Sequence, residues 1–405
     1  MGVYASPDTV TGMNGDLDGT GLSIEVTTTR FGDGVIGEVG AVLEERGIQR
    51  PLVVSDKGVA AAGILDRAVS TISDKLTRLW ATTEPSVSDF DNLPKDEVDG
   101  IVAVGGGSCL DTAKVAALLL AYGGSPEDYL GEGTVPGQVA SIVAVPTTSG
   151  TGSQATQSAV VSFDGVKRGI SDEVLRPDIA VVDPAVTIGL PPAITARSGF
   201  DAFVHALESL LAKDYRQVPE RPIRYQGANP VTRPLSRQAL DLVHGSLEAA
   251  VEDGEAVTAR RAMSLGSHLA GVAFSNAGLG AVHALASTVG GLTDRPHGEC
   301  LGASIDVGLA FNRPVLEEQY AAVARALDLA ATDESDADAA DTLHAECLRL
   351  ADAIGLPTSF AEVGLGPDDA GTIVENTLVQ ERRLVTNPRD VTADALRPAV
   401  SRAFS

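Results

Sequence analysis

Asp201 and His205 stand four residues apart in GFDAFVHALES, and two more of the chain's six histidines, His283 and His297, flank the stretch ALASTVGGLTDRP. On a helix, residues four apart lie one turn above one another on a single face, so Asp201 and His205 can converge on one ion. One carboxylate with imidazoles is a donor set for Fe²⁺, Zn²⁺ or a similar divalent metal. Any one of these histidines could equally be a core or surface residue; four donors in this order are harder to explain that way. His283 reads as part of a helical run, Gly290-Gly291 as a turn, and His297 as a loop residue after Arg295-Pro296.

A second set of residues could hold a nucleotide. GGGSCLD follows the apolar run IVAV and opens a helix, so Gly105, Gly106 and Gly107 let backbone approach a ligand while the first helical N–H groups attract a pyrophosphate. The spacing is not GxGxxG, and a tight strand-to-helix turn explains it locally as well. PLVVSD ends in Asp56, whose carboxylate can bind a ribose diol and would repel a 2′-phosphate, which favours NAD over NADP; a solvated turn aspartate is the plain alternative. PTTSGTGSQAT adds hydroxyls at Thr147, Thr148, Ser149 and Thr151 in a glycine-containing loop.

The elements that must position these groups fall into two halves. After a loose tail over residues 1–20, residues 21–190 alternate short apolar strands (SIEVTTTRF, PLVVSD, DGIVAVGGGS, SIVAVPTTSGTGS, DIAVVDP) with helical runs such as GVAAAGILDRAVSTIS and CLDTAKVAALLLAY. Continuous apolar strands separated by helices imply an α/β domain with a parallel sheet covered on both faces. Beyond Pro191-Pro192 the pattern is helical, and residues 191–405 read as an all-α domain, with a proline- and arginine-rich loop over 213–236 and an acidic helix connection near 331–341.

Composition limits the partners. Fifty-five acidic against thirty basic residues give a net charge of −25, with only six lysines. Nucleic acid and anionic membrane surfaces both require positive charge, so neither is an expected partner. An acidic, lysine-poor globular composition is similar to that of proteins from salt-loving organisms, where salt screens self-repulsion. Three cysteines without CxxC spacing argue against a disulfide framework or thiolate zinc site and for a cytoplasmic protein. No apolar run is long enough to span a bilayer, and the first residues are unlike a signal peptide.

Taken together, RFGDG, VVSDKG, VAVGGGSCLDTAK, AVPTTSGTGS, VVDPAVTIGLPP, ARSGFDAFVHALES, AGVAFSNAGLGAVHALA, RPHGE and TNPRDVT resemble the iron-containing (group III) alcohol dehydrogenases from about Phe31 to the C-terminus. The resemblance implies the dehydroquinate synthase-like fold, an N-terminal dinucleotide-binding domain and a helical metal-binding domain, and a homodimer. It implies metal ligation by Asp201, His205, His283 and His297. It also implies cofactor contacts from Asp56, Gly106, Gly107, Ser108, Asp111, Thr147, Thr148, Thr151 and Lys167. The expected activity is hydride transfer between NAD(H) and a small primary alcohol, a diol or the aldehyde, with Fe²⁺, or else Zn²⁺, as Lewis acid and no side-chain nucleophile. A maleylacetate reductase-like enzyme acting on an acidic carbonyl is the alternative within the fold, and a non-catalytic NAD- and metal-binding relative is the alternative outside enzymology. Two departures stand out. Many members carry a histidine four residues after the third ligand, where this chain has Ser287, which cannot hold a proton near neutral pH as imidazole does. Gln154 replaces the glutamate common in the cofactor loop.

Overall fold

The computed structural model describes residues 21–404 apart from 73–75, 82–84, 92, 95–97, 164–165 and 220–224; the tail expected over 1–20 lies outside the described residues. Six strands, β1 (Thr28–Phe31), β2 (Pro51–Ser55), β3 (Thr77–Trp80), β4 (Gly100–Gly105), β6 (Ser141–Pro146) and β9 (Ile179–Val182), form one sheet in the order β1-β9-β6-β4-β2-β3. Every pair in it is parallel. Period-two alternation builds both faces. Leu52, Val54, Ile101, Ala103, Ile142 and Ala144 pack on the helix α4 (Gly107–Tyr122), whereas Val53, Val102, Val104, Val143 and Val145 pack on α1 (Val39–Arg46), α2 (Lys57–Ala61) and α3 (Ile64–Val69). A smaller sheet, β5 (Gly131–Glu132), β8 (Val166–Ser171) and β7 (Ser158–Phe163), covers the far side of α4.

This topology creates the place for a ligand. The chain runs from β2 outward to β3, then crosses back over β2 to β4, and the helices that follow β2 and β4 lie on opposite faces of the sheet. The carboxyl ends of β2 and β4 are therefore a topological switch point, where open α/β sheets leave a crevice.

After β9 the described residues are helical: α5 (Pro192–Leu211), α6 (Thr232–His244), α7 (Leu247–Glu252), α8 (Val257–Ala277), α9 (Ala281–Thr293), α10 (His297–Ala326), α11 (Asp336–Ala353), α12 (Ala370–Leu378), α13 (Glu381–Leu384) and α14 (Ala393–Arg402). One apolar core runs through them, with Phe200, Phe203, Leu285, Leu301, Phe311 and Phe360 fully enclosed. The apolar pair α8 and α9 is bent by 100°, and among the described residues no single helix is long and apolar enough to cross a membrane.

Local differences from the sequence reading have physical causes. The strand expected from Ser23 begins only at Thr28. The Ser23 and Glu25 amides donate instead to Gln226 Oε1 and Asn276 Oδ1, both at 2.9 Å, tying this segment to the helical half. The helix expected over 58–73 divides into α2 and α3 at Gly63, whose φ of +71° interrupts the ladder. The edge strand β3, TRLW, has no continuous apolar run to signal it. The loop expected over 213–236 ends early, because α6 begins at Thr232.

Candidate metal centre and its cofactor edge

α5 starts with Pro192, a residue suited to the first helical position, and presents Asp201, His205 and Glu208 at spacings of four and three along one buried face. Asp201 Oδ1 lies 3.5 Å from His205 Nε2, 3.4 Å from His283 Nε2 and 3.7 Å from His297 Nε2. Three imidazole nitrogens thus converge on one carboxylate oxygen, and Asp201, His283 and His297 alone form a group able to hold an ion. Metal bonds of about 2.1 Å at tetrahedral angles place neighbouring donor atoms about 3.4 Å apart, so the three distances from Asp201 suit a small divalent ion, with His205 standing beside the group that Asp201, His283 and His297 form.

Their supports come from distant stretches of sequence. Glu208 accepts a hydrogen bond from His283 Nδ1 at 2.6 Å and from the Val282 amide at 2.8 Å, fixing the ring so that Nε2 faces Asp201. A carboxylate behind a histidine ligand sets its tautomer and basicity. Asn387, from TNPRD, accepts from the Ala281 amide at 2.9 Å, so Glu208 and Asn387 together cap the start of α9. His rings 205 and 283 stack at 4.5 Å, and Phe274 closes the other face of His205 at 4.1 Å.

His297 is not a loop residue: it is the first residue of α10, with Pro296 as its N-cap. Gly290-Gly291 is not the turn either, since both lie inside α9; the chain reverses at Asp294, whose φ is +54°. A Cβ on Gly298 would sit 2.4 Å from the Arg197 carbonyl oxygen. That glycine lets the start of α10 press against α5 one turn before Asp201, which brings His297 to the cluster.

The electrostatics prepare metal donors. Burial alone would raise the Asp201 carboxyl, but the His205, His297 and His283 rings outweigh it and hold it well below the usual carboxylate range. Burial pushes His205 down to about 3, with Asp201 only partly opposing. The protein atoms crowded around His297, opposed by Asp201 and aided by His283, Arg383 and Lys167, push it down to about 4, although 39 % of its side chain remains open to solvent. Burial also disfavours the charged His283, yet its bonds to Asp201 and Glu208 prevail and raise it. His205 and His297 therefore offer free lone pairs at neutral pH, as ligation requires.

The cofactor edge is built mainly from backbone. Ser55 pairs with Val104 and Gly105 with Pro146, so Asp56, the glycine turn and the Thr147 loop end side by side at the switch point. α4 begins at Gly107 with no side-chain cap, leaving its N-terminal dipole for an anion. A Cβ on Gly107 would lie 2.7 Å from Thr151 Cγ2, and Gly106 faces Thr148; the strand end and the loop meet with only hydrogen between them. Asp56 caps α2 through the Val59 amide at 2.9 Å and accepts from Cys109 Sγ at 3.3 Å. Ser108 follows in the first turn of α4. Asp111 is half-buried, its oxygens taken by Ser153 Oγ at 2.7 Å and the Val160 amide at 3.0 Å, so it holds the loop in place. Lys114 joins that network through Ser153, Thr156 and Ser158, and burial brings it down to about 7. Lys167, on β8, is exposed, and its charge reaches His297 and Cys300.

The two sets meet directly. Ser149 Oγ lies 3.1 Å from Ser264 Oγ of α8, Ser267 donates to the Gly150 carbonyl at 3.3 Å, and the Gly150 backbone is near enough to His205 to favour its protonation. Gln154 is buried with its Nε2 3.5 Å from His268 Nδ1, and His268 Nε2 lies 2.9 Å from Thr29 Oγ1. Burial pushes His268 down to about 4, so the neutral amide at 154 faces a neutral ring.

The model for the iron-containing alcohol dehydrogenases matches residues 27–184, and that for the C-terminal region of the same family matches 195–404. The chain belongs to the iron-containing alcohol dehydrogenases. It is thus an oxidoreductase of that family. Among its relatives, the NAD-dependent methanol dehydrogenase of Bacillus methanolicus is 32% identical, over 92% of this chain and 97% of that one. The 4-hydroxybutyrate dehydrogenase of Cupriavidus necator is also 32% identical, over 89% and 94% respectively. A solved 1,3-propanediol oxidoreductase superposes with a TM-score of 0.86 at 30% identity, over 95% of this chain and 100% of that one. Within this family member the sequence alone leaves Glu208 unmarked, although its place seven residues after Asp201, on the same helical face, is the signal for it.

Proposed function

We propose that this enzyme moves a hydride between NAD(H) and a small primary alcohol or diol, or the matching aldehyde, with a divalent metal held by Asp201, His205, His283 and His297. The observation that carries the reading is the convergence of three Nε2 atoms on Asp201 Oδ1 at 3.4, 3.5 and 3.7 Å. A metal there supplies Lewis acidity to the substrate oxygen while the nicotinamide takes or gives the hydride. The chain's part is to hold Asp201, His205 and His297 deprotonated, fix the His283 ring through Glu208, and seat the cofactor. In the seating, Asp56 addresses the ribose and disfavours a 2′-phosphate, Gly106, Gly107 and Ser108 the pyrophosphate, and Thr147, Thr148, Thr151 and Lys167 the remainder, with Asp111 positioning the loop.

The reaction converts the alcohol and NAD⁺ to the aldehyde, NADH and a proton. Ser287, one helical turn beyond His283 and partly exposed, can relay a hydrogen bond but not store that proton, so the proton leaves through water or a ribose hydroxyl. Fe²⁺ is the favoured metal, with Zn²⁺ the alternative. The same reading divides the chain near residue 190 into a cofactor half and a metal half, and describes a cytoplasmic homodimer adapted to salt by its −25 charge.

Chelation tests the mechanism. Activity on a panel of short alcohols and aldehydes should fall at least about a thousandfold when the metal is stripped and return with Fe²⁺ or Zn²⁺. Full activity in a protein that elemental analysis finds metal-free would reject it.

A further inference from the structure

The cofactor loop is fastened to α8 at successive turns of the helix. Ser264, Ser267, Gly271 and Ser275 recur along α8 at spacings of three and four, which places them on one face. Ser264 meets Ser149, and Ser267 donates to the Gly150 carbonyl. Gly152 passes so close to Gly271 that a Cβ on it would lie 2.6 Å from the Gly271 Cα. Arg176 Nη1 spans the Ala155 carbonyl at 2.6 Å and Ser275 Oγ at 3.0 Å. Gln154 and His268 are buried among these contacts, and theirs runs on past the helix to the sheet edge, because His268 Nε2 lies 2.9 Å from Thr29 Oγ1 of β1.

The hydrogens along this path follow by elimination. Thr29 Oγ1 lies 3.0 Å from the Thr27 carbonyl oxygen, and two oxygens meet at that distance with a proton between them, so the one hydroxyl proton belongs to that bond. Toward His268 the hydroxyl then offers only a lone pair, and His268 Nε2 carries the hydrogen. A neutral imidazole has one N–H, so Nδ1 keeps a lone pair and needs a donor. The Gln154 amide nitrogen, 3.5 Å away, is that donor. Burial keeps the ring neutral, and no charged side chain contributes to its lowered value. Arg176, the cation on the loop side, donates to Ala155, Ser275 and Gln157. A carboxylate at 154 would have no hydrogen to give.

We propose that Gln154 and His268 are positioning residues for NAD, forming a one-way hydrogen-bond chain from Gln154 through His268 and Thr29 to the Thr27 carbonyl that fixes the cofactor loop against α8 and the sheet edge. The proposal rests on the cofactor reading above, in which Thr147, Thr148 and Thr151 of the same loop touch NAD. The chain works because its first member donates. With glutamate at 154 the contact survives only if the pair binds one extra proton, on the carboxyl or on the ring. Without that proton a buried carboxylate faces a lone pair, and the loop is displaced.

Histidine-selective ¹⁵N spectra of the Zn²⁺-loaded protein test the direction of the chain. At pH 7 the His268 ring, identified by its loss in His268→Gln, should carry hydrogen on Nε2 and none on Nδ1. Calorimetric titration with NAD⁺ reads the consequence. Gln154→Met, similar in size but without a donor, should bind NAD⁺ about five- to thirtyfold more weakly at pH 6 and pH 9 alike, with metal content retained. Gln154→Glu should bind close to the native affinity at pH 6 and, between pH 6 and pH 9, lose at least about tenfold more than the native protein does. Hydrogen on Nδ1 of the native ring, or a Gln154→Glu protein that follows the native one at both pH values, would overturn the proposal. A native protein that binds no NAD⁺ would instead reject the cofactor reading, and the position of the ring proton would still decide the direction of the chain.

Discussion

Under the proposed assignment, the two walls of the site hold their ligands by different means. The sheet edge uses backbone: an uncapped helix start, glycines small enough for the Thr148 and Thr151 loop to close on them, and a register that lines up Asp56, Gly105 and Thr147. The helical wall uses side chains, four donors from three helices whose Nε2 and Oδ1 atoms must agree within a few tenths of an ångström. A backbone site depends on the absence of side chains, so adding one damages it. A side-chain site depends on exact donors, so removing one damages it.

The contrast is sharpest in a crossed pair of variants. His283→Ala should reduce stoichiometric metal to a trace and turnover by about a thousandfold or more, while leaving NAD affinity within about threefold. Gly107→Val should do the reverse, because a Cβ there lies 2.7 Å from Thr151 Cγ2 and a branched side chain reaches further. NAD should bind at least about tenfold more weakly, with metal content retained. Elemental analysis and NAD titration of the same two proteins check both. If each variant lost metal and cofactor together, the walls would not be separable, and undiminished metal in His283→Ala would refute the ligand assignment.

The walls also differ in how well the sequence exposes them. The central strands were legible because a parallel sheet buried on both faces demands uninterrupted apolar runs such as IVAV. Edge strand β3 fully buries none of its residues and β7 only alternate ones, so both leave a fainter trace. The donors Asp201 and His205 were legible from helical spacing, but the location of His297 was not, since Arg-Pro reads as loop while Pro296 in fact caps a helix. Glu208 went unseen because an acidic residue on a helix is ordinarily solvated, and only contact with His283, 75 residues away, gives it a role. Glu208→Gln tests that role: it keeps the shape and one acceptor but loses the charge behind the ring, so metal affinity should fall about ten- to a hundredfold. Competition with a chromogenic chelator measures this, and unchanged affinity would reduce Glu208 to a helix cap.

The smallest effect on the site itself concerns the residue that bridges the walls. His268 lies on α8, against Thr29 of β1 on one side and Gln154 of the cofactor loop on the other, and burial lowers it from an ordinary 6.5 to about 4. The unfolded chain takes up its proton near pH 6.5, while the folded one resists until about pH 4. Its contribution to stability is therefore complete above pH 6.5 and is lost progressively as pH falls toward 4. Between pH 6.5 and 5 that one group should account for about 2 kcal/mol of lost stability. His268→Gln, which keeps a hydrogen-bonding side chain that does not titrate, should flatten this part of the stability curve without changing metal content. Denaturant unfolding of both proteins at pH 7 and pH 5 decides it. Equal acid sensitivity in the two would mean that the loss arises at the proposed metal ligands His205 and His297, whose lowered values put them in the same window.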